Sequence, residues 1–243
     1  MDSALYNAAS GMVAQQIRLD VISNNLANSS TPGFRRDGTF LREFRRQTDG
    51  ISGAVNGVVQ VPSTYTLDRT GTHVFTENPT DLALFGPGLF SVQTDRGVLY
   101  TRDGSFARDP DGWLVTSRGE KVLGIDGEPV RLPPGVLAAA ADGTLSVDDQ
   151  PAGRLRLVEI PIDQQVKTGE GLILPNRADA VSPASVNTVV RQGFREGSSV
   201  NAIDEMVELI GAQRAFETYR RVLSLTVNEV DRQAVTAIAG PTG

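Results

Sequence analysis

The chain has 243 residues, a formal charge of −6, 40% hydrophobic and 21% charged residues, which is an ordinary globular composition with length for one or two domains. The absence of cysteine excludes a disulfide framework and thiolate chemistry, and His73, the single histidine, cannot by itself build a zinc site or a histidine-dependent triad. The acidic balance argues against a nucleic-acid partner, no apolar run reaches bilayer length, and the N-terminus does not read as a cleaved secretory signal.

Asp2 or Ser3 can cap a helix expected from about Ala4 to Asn28. Along it Leu5, Met12, Leu19 and Leu26 recur every seventh residue, with Ala8, Gln15 and Ile22 at the offset position. Gly11 is a weak point inside it. The run Asn28-Ser29-Ser30-Thr31-Pro32-Gly33 should stop the helix, since cap-type residues there precede a proline and a glycine. Asn24, Asn25 and Asn28 crowd this end. Amides at a frayed terminus are either solvated or joined in a cluster between subunits.

Residues 34–46 are rich in arginine and read as a solvated face or as a surface for an acidic partner. Residues 47–71 have no helical period and read as extended strand or linker. Beyond them glycines recur every seven or eight residues, at Gly97, Gly104, Gly112, Gly119, Gly127, Gly135 and Gly143, with strand-like segments between. That rhythm predicts short antiparallel strands joined by tight turns over residues 72–190. Residues 191–243 close the chain with a strand or turn and a long helix expected to start near Asn201 and end before Gly240-Pro241. In it Met206, Leu209, Gln213, Phe216, Arg220, Leu223, Val227, Val230, Ala234 and Ala237 step by alternating threes and fours.

The expected fold class is therefore α+β. Long N- and C-terminal helices form a coiled-coil-like core, and a central all-β domain of short antiparallel strands lies between them in sequence. The segments are 1–46, 47–71, 72–190 and 191–243. One narrow seam does not offset the conformational entropy of ordering helices this long, so the terminal helices are expected to take their order from partners.

No constellation supports an enzyme or a cofactor. Asp109-Pro110-Asp111-Gly112 lacks the further acidic ligands of a calcium loop and reads as a turn. Gly86-Pro87-Gly88 lacks the third glycine and following helix of a dinucleotide loop, and more plausibly bends a strand. Asp148-Asp149 and Asp204-Glu205 are neighbours in sequence, with surface or cap roles.

Four motifs in order resemble the flagellar basal-body rod and hook family of bacteria. They are Asn24-Asn25-Leu26-Ala27-Asn28 with Ser29, Thr31, Gly33 and Phe34; Asp81-Leu82-Ala83-Leu84 with Gly86, Gly88 and Phe90; Tyr100-Thr101-Arg102-Asp103-Gly104-Ser105-Phe106; and Ser199-Val200-Asn201 leading into Glu205-Met206-Val207 and Gln213-Arg214-Ala215-Phe216-Glu217. A single middle domain is similar to the proximal and the distal rod branches of the family, and the opening Met1-Asp2-Ser3-Ala4-Leu5-Tyr6 resembles the proximal branch more than the distal. The resemblance implies a non-enzymatic structural subunit in the rod that crosses the periplasm, exported by the flagellar type III apparatus without a cleaved signal. Its partners would be copies of itself and other rod and hook proteins, with neither nucleic acid nor membrane insertion. The implied assembly interface comprises Leu5, Met12, Leu19, Ile22, Asn24, Asn25, Leu26, Asn28, Met206, Leu209, Gln213, Phe216, Leu223, Val227 and Val230. A rival reading is a binding module whose β domain recognises a ligand and whose helices dimerise it.

Overall fold

The computed structural model describes residues 2–45, 58–169 and 171–239, with side-chain surroundings over 7–40, 63–169 and 171–228. It divides into two compact units. One unit comprises Met1–Ala27, Asp37–Tyr65 and Asn201–Gly243; the other comprises Asn28–Arg36 and Thr66–Val200.

In the first unit, helix α1 spans Asp2–Ala27 and helix α2 spans Ala202–Ala239, about 39 and 57 Å at about 1.5 Å per residue. A two-stranded sheet of β1 (Asp37–Arg45) and β2 (Val58–Thr66) accompanies them. Asn201 starts α2 by accepting the Ile203 backbone N–H on its side-chain oxygen at 3.0 Å, and Asp204 and Glu205 occupy the first turn, where carboxylates meet the positive end of the helix dipole.

The helices run antiparallel. Asn25 lies against Glu205 near one end, and further along Gly11 lies against the ring of Tyr219. Positions on α1 that turn inward are Ala8, Gly11, Ala14, Ile22 and Asn25; on α2, Glu205 and Ala212 are buried, with Leu209, Phe216, Tyr219 and Leu223 half-buried.

This corrects the expected coiled-coil-like core. The α+β class stands, but the described helices do not meet through a long apolar seam. Met12, Leu19 and Leu26 are only half-buried, and Met206, Gln213, Arg220 and Val227 are exposed. The reason is one of phase. On α2 the contact line runs through Glu205, Leu209, Ala212, Phe216, Tyr219 and Leu223, which keeps half of the predicted positions and displaces the other half by one residue, about 100° of helix rotation. On the α1 side the contact is made mostly by small and polar residues, Ala8, Gly11, Ala14 and Asn25 beside Ile22, which let the backbones approach closely. The side chains of Leu5 and Val230 lie outside the described residues.

The second unit is built from antiparallel strands. A nine-stranded sheet orders Gln165–Lys167, Leu172–Pro175, Gly97–Thr101, Leu89–Thr94, Lys121–Val122, Leu114–Thr116 and Phe106–Arg108, with Leu157–Glu159 and Ser182–Pro183 branching from Leu89–Thr94. Leu137–Ala139, Thr144–Val147 and Gln150–Arg154 form a three-stranded sheet. Two pairs complete the unit: Leu82–Phe85 with Val189–Gln192, and His73–Phe75 with Phe194–Glu196. Its core contains Leu82, Leu84, Phe90, Val92, Phe106, Leu114 and Leu145, with Phe90 and Phe106 edge-to-face at 5.0 Å.

Two of the rhythmic glycines show why that residue recurs. Gly112 takes φ +89° in the turn where Asp109 accepts the Trp113 backbone N–H at 2.7 Å, so the aspartate serves the turn. At Gly104 a Cβ would stand 1.6 Å from the Leu82 carbonyl oxygen, so only glycine lets these two segments touch.

Alanine in place of glycine normally stabilises a helix by about 1 kcal/mol. At Gly11 the new methyl would stand 2.4 Å from the Tyr219 ring, so Gly11→Ala should instead lower the midpoint of helix unfolding followed by circular dichroism. Adding Tyr219→Ala should return the ordinary alanine gain. A stabilising Gly11→Ala in the otherwise unaltered chain contradicts the close approach.

Candidate functional site

Two polar centres, one in each unit, gather the residues of the four sequence motifs. The first closes the C-terminal end of α1. Asn25 is completely buried. Its amide nitrogen donates to the Asp37 carbonyl at 2.8 Å and toward the Glu205 carboxylate at 3.3 Å, while its oxygen accepts the Asp37 backbone N–H at 2.9 Å. One asparagine therefore satisfies both backbone groups at the start of β1 and holds the first turn of α2. No other uncharged side chain of this size offers a donor and an acceptor in one plane for such a backbone pair. Arg18 and Glu208 add an exposed pair at 3.6 Å, worth little on its own.

The predicted amide cluster thus separates into different roles. Asn25 is engaged inside its own subunit, and Asn24 is on the exposed side. Asn28, in the other unit, accepts the Thr31 backbone N–H on its carbonyl at 3.1 Å and the Thr31 hydroxyl on its side chain at 3.1 Å, closing the turn that follows the helix. Of the other predicted positions, Ile22 is buried, Leu209, Phe216 and Leu223 are half-buried, and Met206, Gln213 and Val227 are exposed.

The second centre is a buried ion pair in the β unit. The Arg102 guanidinium donates from Nε to Glu196 at 2.5 Å, from Nη1 to the Gly88 carbonyl at 2.6 Å and from Nη2 to the Leu84 carbonyl at 2.7 Å. Burial pushes the Arg102 guanidinium below its ordinary value, and the facing Glu196 carboxylate opposes that shift. Glu196 also accepts the Gly71 backbone N–H at 3.3 Å, and its own carbonyl accepts the Gly33 backbone N–H at 3.0 Å. His73 completes the group. Its Nε2 lies 3.2 Å from the Leu84 carbonyl and 3.8 Å from Glu196, with its ring stacked on Phe85 at 3.9 Å.

Three motifs therefore meet on the Arg102–Glu196 pair: Gly33 from the first on the Glu196 backbone carbonyl, Leu84 and Gly88 from the second on the Arg102 guanidinium, and Arg102 itself from the third. The fourth is joined nearby, where Ser199 accepts the Arg36 backbone N–H at 2.9 Å and donates its own backbone N–H to the Phe34 carbonyl at 2.9 Å. Gly86-Pro87-Gly88 supplies carbonyls to this network, since Thr188 also donates its hydroxyl to Pro87. Sequence reasoning missed Glu196. Its one signal is a lone acid shortly before Ser199, without the periodicity or pairing that marks a site. A guanidinium ringed by two carbonyls and a carboxylate has its donors occupied by structure, so the arrangement braces strands. Among the described residues, no group of three or more acids, histidines or cysteines converges as a metal site would require.

The comparisons with known proteins follow this distribution of motifs. The profile described as "Flagella basal body rod protein" matches residues 5–35, "Flagellar hook protein FlgE/F/G D1 domain" matches 83–168, and "Flagellar basal body rod FlgEFG protein C-terminal" matches 191–236. The chain is 34% identical to the flagellar basal-body rod protein FlgF of Mesorhizobium japonicum over 97% of its own length and 98% of that protein. The chain belongs to the flagellar basal-body rod family. It is also 36% identical to the FlgF of Escherichia coli, over 92% of this chain and 94% of that one, and 32% identical to the FlgG of Buchnera aphidicola from Schizaphis graminum, over 96% and 97%. The family's matched segments at residues 5–35 and 191–236 contain Asn25 and Glu205, the two ends of the helix latch.

Replacing Glu196 by Gln leaves the buried Arg102 charge uncompensated, and the β unit should lose about 3–5 kcal/mol. Trp113, the only tryptophan, lies in this unit, so its fluorescence in a denaturant titration reads the loss; an unmoved midpoint contradicts the bracing role. Asn25→Ala removes the side chain that pairs with the Asp37 N–H and carbonyl and holds Glu205 and should destabilise the helix unit by about 1–3 kcal/mol, seen as an earlier loss of helical circular dichroism with the Trp113 transition unchanged. If the helical transition also stays in place, the latch is not what holds that end.

Proposed function

We propose that this chain is a structural subunit of the bacterial flagellar basal-body rod, which transmits torque by packing. It assembles through its terminal helices with copies of itself and with other rod and hook proteins. The rod names of its full-length relatives support the role, and nothing in them favours a ligand-binding module. The observation that carries the assembly reading is the outer side of α2. Ile203, Met206, Val207 and Ile210 are 72%, 51%, 66% and 54% exposed, and Ile203, Met206 and Ile210 form one stripe at helical spacing. An apolar stripe of this kind marks a protein contact.

The placement in the periplasm-spanning rod and the export route through the flagellar type III apparatus rest on the family resemblance. The helix interface comprises the exposed Met206, Gln213 and Val227, with the stripe at Ile203 and Ile210 and the half-buried Met12, Leu19 and Leu26. Leu209, Phe216 and Leu223 support it from the intramolecular side. A polymer of unbounded length needs a heterologous contact that does not close on itself, and a helix pair with unlike ends provides one.

Ile210→Asp puts a charge on the exposed stripe without touching either polar centre. The variant should fold, with an unchanged Trp113 unfolding transition, yet fail to enter basal bodies or restore swimming in a strain lacking the subunit. Full swimming with the aspartate in place would rule out this face as the assembly contact.

A further inference from the structure

The β unit leaves one strand edge open. The strand His73–Phe75 pairs with Phe194–Glu196 on one side only. The Thr76 N–H bonds the Gly193 carbonyl at 2.8 Å and the Gly197 N–H bonds the Thr72 carbonyl at 2.9 Å, and bonded positions alternate along an antiparallel pair. Val74 therefore turns its backbone groups toward Arg195, while the N–H and carbonyl of His73 and Phe75 point away from the neighbouring strand. These four groups have no backbone partner among the described residues. Native sheets commonly blunt such an edge with a lysine, a proline or a covering segment. This one carries Val74 and Phe75, 50% and 60% exposed.

Each face of the edge joins an apolar side chain to an arginine. On one face Val74 lies directly across from the exposed Arg195. On the other, Phe75 tilts against Phe194 at 5.0 Å, Phe194 meets Phe85 edge-on at 6.2 Å, and the exposed Arg191 sits over the Phe85 ring at 4.6 Å. Neither arginine has a carboxylate partner among the described residues, in contrast to Arg35, Arg102, Arg154 and Arg177. Arg69, exposed and equally without one, lies in the segment leading into the strand. Of the acids nearest in sequence, Asp68 is engaged by Arg35 at 2.6 Å and Glu77 is exposed. Unpaired positive charge thus gathers at this edge of a chain whose formal charge is −6.

We infer that the edge receives an extended acidic segment of a partner protein, which adds as a strand beside His73–Phe75. The backbone of the added strand bonds the open groups of His73 and Phe75. Its apolar side chains cover Val74 and Phe75, and its carboxylates meet Arg191 and Arg195. Charge selects this occupant, since a basic strand would meet two exposed guanidiniums of like sign and a neutral one would leave both without a partner. The surface belongs to the β unit alone and makes no use of the terminal helices.

The test titrates the full chain with a synthetic hexapeptide alternating glutamate and valine, and with a lysine–valine hexapeptide of the same pattern. As the glutamate peptide binds, the amide protons of His73 and Phe75 should exchange more slowly with solvent, because each gains an acceptor, while Val74, already bonded across the pair, keeps its rate. Arg191→Glu combined with Arg195→Glu should weaken that binding by about tenfold or more and admit the lysine peptide, with the Trp113 unfolding transition unchanged. Arg191→Gln with Arg195→Gln, which should also weaken the glutamate peptide, replaces the charge reversal if the reversed chain unfolds early. Equal binding of the two peptides by the unaltered chain overturns the inference. So does binding that leaves the His73 and Phe75 amides unslowed, or no binding at millimolar peptide, and each of these results leaves the rod reading intact.

Discussion

A long helix covered on one side, with large apolar side chains exposed on the other, offers surface for a further protein contact, and α2 is such a helix over its described residues. The contact between α1 and α2 sets small and polar residues, Gly11 beneath Tyr219, buried Ala8, Ala14 and Ala212, and the Asn25–Glu205 hydrogen bond, beside half-buried Leu209, Phe216 and Leu223. Ile22 is the one large aliphatic side chain fully buried among the described residues of the two helices. Burying one such side chain contributes about 1.5–3 kcal/mol, whereas each ordered residue costs about 1–2 kcal/mol in backbone entropy. Hydrogen bonds within the helices narrow the gap, but helical stability in proteins comes chiefly from packing of an apolar face. The exposed stripe on α2 is that face. The pair has a defined register from its polar contacts and keeps Ile203, Met206, Val207 and Ile210 exposed for neighbours.

The β unit solves a different problem. Its sheets bury a large aliphatic and aromatic core, and its stability does not wait for assembly. What it needs is a fixed arrangement of the segments that enter and leave it, and Glu196 with Arg102 provides it by tying together Gly33, Gly71, Leu84 and Gly88. A buried ion pair is weak evidence for net stability, because desolvation offsets most of the attraction. Its contribution here is geometric, since the guanidinium fork admits one arrangement of two carbonyls and one carboxylate.

Much of this could be read from the sequence. The seven-residue glycine rhythm foretold short antiparallel strands because tight turns need residues that tolerate positive φ, and Asn201 was readable as a helix start because its side chain accepts the orphan N–H of the first turn. The motifs identified the family. The helix seam was misread for a physical reason: heptad spacing reports an apolar stripe but not which surface covers it. Met12, Leu19 and Leu26 stand out because they are large, while the positions that turn inward toward α2 are, apart from Ile22, small or polar and look unremarkable in a hydrophobicity pattern. Asn25 was noticed as an amide at a helix end, yet its partners Asp37 and Glu205 are 12 and 180 residues away and no local pattern points to them. Glu196 was illegible for the same reason, since its meaning comes from segments joined only in three dimensions.

The central claim is that the first unit gains its full order from neighbouring subunits. Amide hydrogen exchange of the full chain, measured first at low micromolar concentration and then in assembled rods, tests it most directly. The account predicts fast exchange along α2 in the free chain, slowest near Asn25 and Glu205, with protection spreading to residues 203–239 on assembly while the β unit stays protected throughout. Slow exchange along the whole of α2 in a dilute monomer would contradict it.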